Sequence, residues 1–171
     1  SFEPWEPRVF AAKEIAQKYA KDFLSIENER INSLSLLGAV GSGKTMLGIC
    51  VLNTLVRAGV EVLYTPYREM ASALKRSVLD EYEYAKVCRR FTSPRLLFID
   101  DLYKGAASTD PKYVYDIINA RYLAKRPMLI TSELHADGLM HIDEAIASRI
   151  IEMSRSYIRE LRGDGLNYRL R

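Results

Sequence analysis

Cysteine and histidine are scarce in this sequence of 171 residues, which contains two of each. Cys50 and Cys88 are far apart and match neither a disulfide framework nor a paired zinc-ligand spacing, so we expect both to be buried free thiols. His135 and His141 have acidic neighbours, but their spacing fits no helical face and no zinc pattern. The sequence therefore argues against disulfide-rich and zinc-dependent classes of protein.

Long apolar runs are also missing. No stretch approaches the roughly 18 uncharged apolar residues that a membrane-spanning helix needs. The segment SFEPWEPRVF lacks the basic-then-apolar order of a signal peptide, and its prolines are typical of a linker or N-terminal extension that something preceded. Hydrophobic residues make up 48% of the chain, enough for one core, so we expect a cytoplasmic protein with no membrane partner.

Charge of one sign is only slightly in excess, and the net value of +3 does not by itself indicate nucleic acid. Its distribution is less even, because seven basic residues face four acidic ones between Arg68 and Arg95. One interpretation is a strip that binds single-stranded nucleic acid through phosphate contacts and stacking, and an equally good one is a solvated helix face. This basic strip holds Tyr67, Arg68, Lys75 and Arg76, followed by Tyr82, Tyr84, Arg89 and Arg90.

Short apolar strands alternate with segments of helical periodicity. Strands are predicted at Leu34–Leu37, Val60–Tyr64, Arg95–Ile99, Met128–Ile130 and Tyr157–Leu161. Helices are predicted at Lys13–Phe23, Lys44–Arg57, from near Pro111, and at Asp143–Met153, with a hairpin turn at Gly163-Asp164-Gly165. This alternation predicts a three-layer α/β fold, in which helices cover both faces of a parallel sheet and ligands bind at the carboxyl ends of its strands.

The strongest motif lies between the first strand and the helix that follows it. Two glycines with four residues between them precede a lysine and a threonine, a phosphate-binding pattern that a chain of this length matches by chance about one time in a hundred. Its backbone N–H groups surround phosphates, Lys44 contacts the terminal phosphates, and the Thr45 hydroxyl coordinates Mg²⁺. The predicted ATP- or ADP-binding residues are Gly38, Ala39, Val40, Gly41, Ser42, Gly43, Lys44, Thr45 and Met46.

Two aspartates end the third predicted strand. In a phosphate-loop fold, Asp100 at this position holds Mg²⁺, and Asp101 polarises the attacking water. The alternative is a turn in which both residues merely cap a loop. The interval between Lys44 and Asp100 holds a complete strand with a helix on each side, which favours the ATPase branch with an inserted strand over small nucleoside kinases.

Two further residues are candidates for catalysis. The stretch Thr131-Ser132-Glu133 ends the fourth predicted strand, where a polar group can reach the terminal phosphate or its water. Arg149, on the next helix, is a candidate arginine finger that projects into a neighbouring subunit's site. The alternative for Arg149 is a surface residue that pairs with Glu144 or Glu152.

These motifs together resemble the AAA+ ATPase domain of the DnaC/DnaI helicase-loader family, and the phage-encoded loaders look most similar. The resemblance runs from about Phe10 to the end of the chain, through GAVGSGKT, LLFIDDL, ITSEL, ASRI and NYR. It implies ATP-dependent self-association through the Arg149 interface, contacts with single-stranded DNA, and delivery of a hexameric replicative helicase during DNA replication. An IstB-type transposition helper and a nucleotide-dependent binding module with negligible hydrolysis are the alternatives. We expect a linker at residues 1–12 and the ATPase domain at 13–171.

This sequence departs from the family pattern at two places. Glu133 stands where the family usually has asparagine, and we hypothesise that it helps Asp101, which is one methylene shorter than the usual glutamate, to orient the water. The sequence after the last strand is also too short for the helical lid that many AAA+ proteins place over the adenine. Contacts with the base are then expected from Trp5, Val9 or Phe10.

Overall fold

The computed structural model of the chain describes residues 7–106, 110–163 and 166. Its centre is a five-stranded sheet in the order β2-β3-β4-β1-β5, with every neighbouring pair parallel. The strands are β1 Leu34–Gly38, β2 Val62–Pro66, β3 Leu96–Asp100, β4 Met128–Ser132 and β5 Ile158–Leu161. The predicted parallel sheet is therefore confirmed, and each predicted strand forms within a few residues of its expected position.

Seven helices occur among the described residues. Their bounds are α1 Pro7–Ile26, α2 Lys44–Arg57, α3 Tyr67–Ser77, α4 Glu81–Thr92, α5 Asp110–Leu123, α6 Ala136–Ile142 and α7 Glu144–Met153. None of these helices is both long and apolar enough to span a bilayer. Asp164 and Gly165 of the predicted hairpin turn lie outside the described residues. So does most of the sequence after β5, which was expected to be too short for a helical lid.

The sheet separates two hydrophobic clusters because successive side chains of a strand point to opposite faces. In β3, Leu96 and Phe98 pack against α1 and α2, whereas Leu97 and Ile99 pack against the helices of the other face. Both clusters consist largely of residues that are inaccessible to solvent. The result is the predicted three-layer arrangement, with the strand ends free to form a site.

A buried arginine holds the loops that precede β3 and β4. Arg121 on α5 is fully buried, and its guanidinium donates to the carbonyl oxygens of Phe91, Pro94 and Pro127 at 2.8–3.0 Å. Burial lowers the pKa of Arg121 to about 9. These carbonyl oxygens stabilise the charged form of the guanidinium group. Arg121 therefore connects α5 to the loops that precede β3 and β4.

The structure corrects the sequence analysis at the two cysteines and at the start of the first helix. Cys50 is exposed and Cys88 is partly exposed, so the expectation of two buried thiols is wrong. The helix α1 begins at Pro7, and Val9 and Ala12 are buried in the core, so residues 7–12 are not a linker in this structure. The predicted strand between Lys44 and Asp100 forms as β2 at the sheet edge, and the strand that lies between β1 and β3 in the sheet is β4.

Candidate nucleotide-binding site

The phosphate-binding loop connects the end of β1 to the start of α2. Gly38, Gly41 and Gly43 have φ angles of 100°, 70° and 84°, which side-chain-bearing residues rarely adopt. At Gly38 a Cβ atom would lie 2.4 Å from both the His135 ring and the Leu161 carbonyl oxygen. The glycines of the motif are therefore required by the backbone, and they leave the N-terminus of α2 without a side-chain cap.

Lys44 lies inside this loop and is largely buried. Its Nζ atom donates to the carbonyl oxygens of Gly38 and Ala39, both at 2.7 Å. Burial lowers the pKa of Lys44, and the negative charges of Asp101, Glu133 and Asp100 oppose that shift. The ammonium group thus contacts the loop carbonyl oxygens and feels the negative charges of the carboxylates at the neighbouring strand ends.

Asp100 at the end of β3 contacts the loop directly. The Thr45 hydroxyl donates to Asp100 Oδ1 at 2.9 Å, and Tyr64 donates to Oδ2 at 3.0 Å. Thr131 on β4 also donates to Oδ1, at 2.5 Å. Burial, followed by the bond to Asp100, raises the pKa of Tyr64 to about 12. The two oxygen groups of Thr45 and Asp100 are adjacent, and oxygen ligands of this kind fit Mg²⁺.

Asp101 and Glu133 are brought together by a residue that the sequence analysis did not select. Lys104 Nζ lies 3.1 Å from Asp101 Oδ2 and 2.7 Å from Glu133 Oε1. Asp101 has a φ angle of 55°, and its N–H donates to the Thr131 hydroxyl at 2.9 Å. A lysine three residues after an aspartate in a loop has no distinctive spacing, so only the three-dimensional arrangement reveals this contact.

Arg149 packs against its own subunit. Its Nε donates to Asn119 Oδ1 at 3.0 Å, and its guanidinium lies 5.3 Å from the ring centres of Tyr115 and Tyr122. The alternative of a pairing with Glu144 or Glu152 is not what the structure shows. Arg149, which belongs to α7, therefore packs against α5 and does not contact the phosphate-binding loop of its own chain. Its role as a finger stays a prediction.

The members of the basic strip are in different environments. Tyr67 is 1% exposed and packs edge-on against Tyr103, so the expectation that its ring stacks on a base is wrong. Lys75 forms an ion pair with Asp110. Three of the remaining cations border a cleft of about 500 Å³ between α3 and α4, which is lined by Arg68, Arg76 and Arg90 together with Thr65, Glu69, Ser72, Ala73 and Phe91.

The remaining candidates from the sequence are metal-ligating side chains and the residues expected to contact the base. Within residues 7–106, 110–163 and 166, no group of three or more His, Cys, Asp or Glu side chains is placed to hold a metal ion. Of the residues expected to contact the base, Val9 is buried in the core and Phe10 is exposed, whereas Trp5 lies outside the described residues.

Comparison with known sequences places the chain in a family. Residues 7–171 match the IstB-like ATP-binding proteins. This chain belongs to that family. It is 42% identical to the Bacillus subtilis protein YqaM over 168 residues, which cover 93% of this chain and 53% of YqaM. It is 38% identical to XkdC of the phage-like element PBSX of Bacillus subtilis, over 93% of this chain and 62% of XkdC. The chain therefore spans only part of each relative.

Comparison with solved structures shows the same fold in replication proteins. DnaI superposes with a TM-score of 0.74 at 22% identity, covering 95% of this chain and 86% of DnaI. The DnaC helicase loader gives a TM-score of 0.71 at 20% identity, covering 94% of both chains. These likenesses show that the chain has the α/β phosphate-loop fold of the AAA+ domains, and its family is one of ATP-binding proteins.

Proposed function

We propose that this chain is the ATP-binding and ATP-hydrolysing domain of a replicative helicase loader. One observation supports the ATPase part most strongly, namely the hydrogen bond of 2.9 Å between Thr45 at the start of α2 and Asp100 at the end of β3. It brings the phosphate loop and the acidic strand end to one point, next to the buried Lys44. ATP hydrolysis requires cationic contacts with the phosphates and a carboxylate beside them.

The roles follow from these positions. Thr45 and Asp100 would hold Mg²⁺, which neutralises charge on the phosphates when it is bound. Lys44 would move from the loop carbonyl oxygens to the terminal phosphates. Asp101, whose backbone is fixed by Thr131, orients the attacking water and accepts its proton. Arg149 would reach a neighbouring subunit after leaving Asn119.

The loader role is supported by the fold shared with DnaI and DnaC and by the cleft between α3 and α4. Arg68, Arg76 and Arg90 provide positive charge at this cleft, which suits the backbone of single-stranded DNA. A solved structure of the replication initiator DnaA, of the same fold, contains both the nucleotide analogue AMPPCP and single-stranded DNA. We expect hexameric helicase and single-stranded DNA to be the partners of the ATP-bound state.

A transposition helper is the second candidate. It is favoured by the similarity to an IS21 ATP-binding protein of Pseudomonas aeruginosa, which is 27% identical over 84% of this chain and 54% of that protein. The nucleotide site is the same in both candidates, so the partner distinguishes them.

The experiment therefore measures partner choice. The purified chain is mixed with the replicative helicase of its host, or with a transposase encoded beside an IstB-like protein, and each mixture is run on gel filtration with Mg²⁺-ATP or with no nucleotide. We expect a complex with the helicase that requires ATP and disappears in Lys44→Ala. An ATP-dependent complex with the transposase alone would overturn the loader role and support the helper.

Phosphate release is measured in the same samples, with and without single-stranded DNA. Steady release that is lost in Asp101→Asn is the expected result. ATP-dependent assembly without any release would instead make the chain a nucleotide-dependent binding module.

A further inference from the structure

Lys104 is the cation closest to the acidic residues at the ends of β3 and β4. Its Nζ atom lies between Asp101 at 3.1 Å and Glu133 at 2.7 Å, and 44% of its side chain remains accessible to solvent. These two carboxylates can occupy two of the three N–H donors of its ammonium group. Its remaining hydrogen-bonding capacity is thus available to an anion that approaches from the phosphate-binding loop.

The loop that carries Lys104 is fixed on the N-terminal side of this residue. Leu102 is buried, its N–H donates to Thr131 at 2.8 Å, and its carbonyl oxygen accepts from Ser132 at 2.8 Å. Tyr103 is also buried and has a φ angle of 66°, a conformation that non-glycine residues seldom adopt. The backbone on the N-terminal side of Lys104 is therefore hydrogen-bonded to β4. This restraint keeps the Lys104 side chain close to Asp101.

The position of Glu133 creates a problem that Lys104 can solve. A terminal phosphate bound by Lys44 and Thr45 would lie close to the strand ends, where Asp100, Asp101 and Glu133 already supply three carboxylates. An unneutralised carboxylate repels a phosphate in a site with few water molecules. The negative charge of Glu133 also acts on Lys44 itself, as does the positive charge of Lys104, so these groups share one local field.

We propose that Lys104 is a second cationic contact for the terminal phosphate of ATP, supplied by the same chain and held in place by Glu133. This inference rests on the proposed ATP site and assigns a residue that neither the phosphate loop nor the Asp100-Asp101 pair includes. Glu133 positions the ammonium group, and Lys104 neutralises Glu133. ADP lacks the terminal phosphate, so the contact distinguishes ATP from ADP.

The test compares affinities for AMPPCP and ADP, each with Mg²⁺, by titration calorimetry on the full chain. We expect Lys104→Ala to weaken AMPPCP binding roughly tenfold relative to ADP, the size expected for one hydrogen bond to a charged group. Lys104→Gln, which keeps most of the side-chain volume, should show the same loss, and Lys104→Arg should retain the preference. Lys86→Ala is the matched control, since Lys86 is an exposed lysine that pairs with Glu83 on its own helix.

A second variant separates a role in charge neutralisation from a role in loop structure. In Lys104→Ala/Glu133→Gln the repelling carboxylate is gone, so the part of the loss that comes from repulsion by Glu133 should be recovered, while the missing contact keeps the preference for AMPPCP below that of the wild type. A merely structural lysine would not be rescued by this change. An unchanged ratio of affinities in Lys104→Ala would overturn the inference, as would tighter AMPPCP binding, which would make Lys104 an inhibitory tie on Asp101. Failure of the wild-type chain to bind either nucleotide would overturn the ATP site as well.

Discussion

The Thr45 hydroxyl and the Asp100 carboxylate are 2.9 Å apart, although 55 positions separate them in the sequence. Thr45 follows the phosphate-binding loop after β1, Asp100 ends β3, and β4 lies between β1 and β3 in the sheet. Thr131 on β4 donates to the same carboxylate, so the intervening strand connects the two motifs. This contact makes the strand ends one site, and the following predictions depend on it.

Asp101 and Glu133 should affect turnover more than nucleotide binding. Asp101→Asn retains the shape of the side chain but cannot accept a proton, so ATP hydrolysis should fall by about 100-fold or more while ATP affinity remains. Glu133→Gln should also lower the rate of hydrolysis, because the amide holds Lys104 more weakly. Steady-state phosphate release and ATP titration check both variants. An unchanged rate in Glu133→Gln would remove Glu133 from the catalytic group.

Arg149 should act across a subunit interface. A Lys44→Ala subunit cannot bind ATP but still offers Arg149, whereas an Arg149→Ala subunit binds ATP and lacks the finger. Mixing the two should restore part of the ATPase rate at mixed interfaces. The control replaces Lys44→Ala with Lys44→Ala/Arg149→Ala, which should restore nothing. Equal rates in both mixtures would leave Arg149 with its observed structural contacts to Asn119 and Tyr115.

The cleft between α3 and α4 should bind single-stranded DNA through phosphates. Arg68→Ala/Arg76→Ala should weaken binding and reduce the slope of log affinity against log salt concentration by about 0.7 for each lost phosphate contact. Fluorescence anisotropy with a labelled oligonucleotide at several salt concentrations measures both effects. Lys18→Ala on α1, which packs on the opposite face of the sheet, is the control and should change neither. A uniform loss of affinity with an unchanged slope would contradict direct phosphate contacts.

Glu160 should make stability depend on pH. Although burial acts to raise it, the pKa of Glu160 is lowered, because the Ala136 N–H at 2.8 Å and the Arg162 guanidinium at 2.6 Å bind the carboxylate. The stabilisation is therefore present above the ordinary pKa of 4.5 and is lost as the pH falls through the lower folded value. Glu160→Gln should reduce the free energy of unfolding by about 1 kcal/mol at pH 7, and the difference should shrink below pH 4.5.

Urea unfolding at a series of pH values tests this. Asp137→Asn provides the matched control, because Asp137 lies 3.7 Å from the same arginine but its side chain is 91% exposed. It should change the free energy of unfolding by only a few tenths of a kcal/mol. A difference between wild type and Glu160→Gln that does not depend on pH would show that the carboxylate charge is not what stabilises this contact.

Much of the fold could be predicted because its signals are local. Continuous apolar runs such as Leu96–Ile99 indicate buried parallel strands, and the glycine pattern specifies the loop before α2. The order of the strands was not predictable in the same way. The insertion of β4 between β1 and β3 depends on pairings between segments that are distant in sequence, which no local pattern encodes.

The site was predictable where a motif has a fixed geometry, and not where side chains reach across loops. The contacts of Lys104 depend on positive φ angles at Asp101 and Tyr103. Neither an aspartate nor a tyrosine in a sequence indicates that its φ angle is positive. The burial of Tyr67 against Tyr103 depends on a tertiary contact between α3 and the loop after β3. For the same reason, Arg149 could be given a catalytic role from the sequence without its packing on Tyr115 being visible.

Titration of Mg²⁺-ATP into the wild-type chain and into Lys44→Ala tests the nucleotide site most directly. Lys44→Arg retains the positive charge and serves as a partial control, while circular dichroism verifies that each variant is folded. We predict saturable binding by the wild type with one site per chain and a loss of about 100-fold or more in Lys44→Ala, since the variant removes the charge that contacts the phosphates. Equal affinity in a folded Lys44→Ala variant would contradict ATP binding at the loop between β1 and α2.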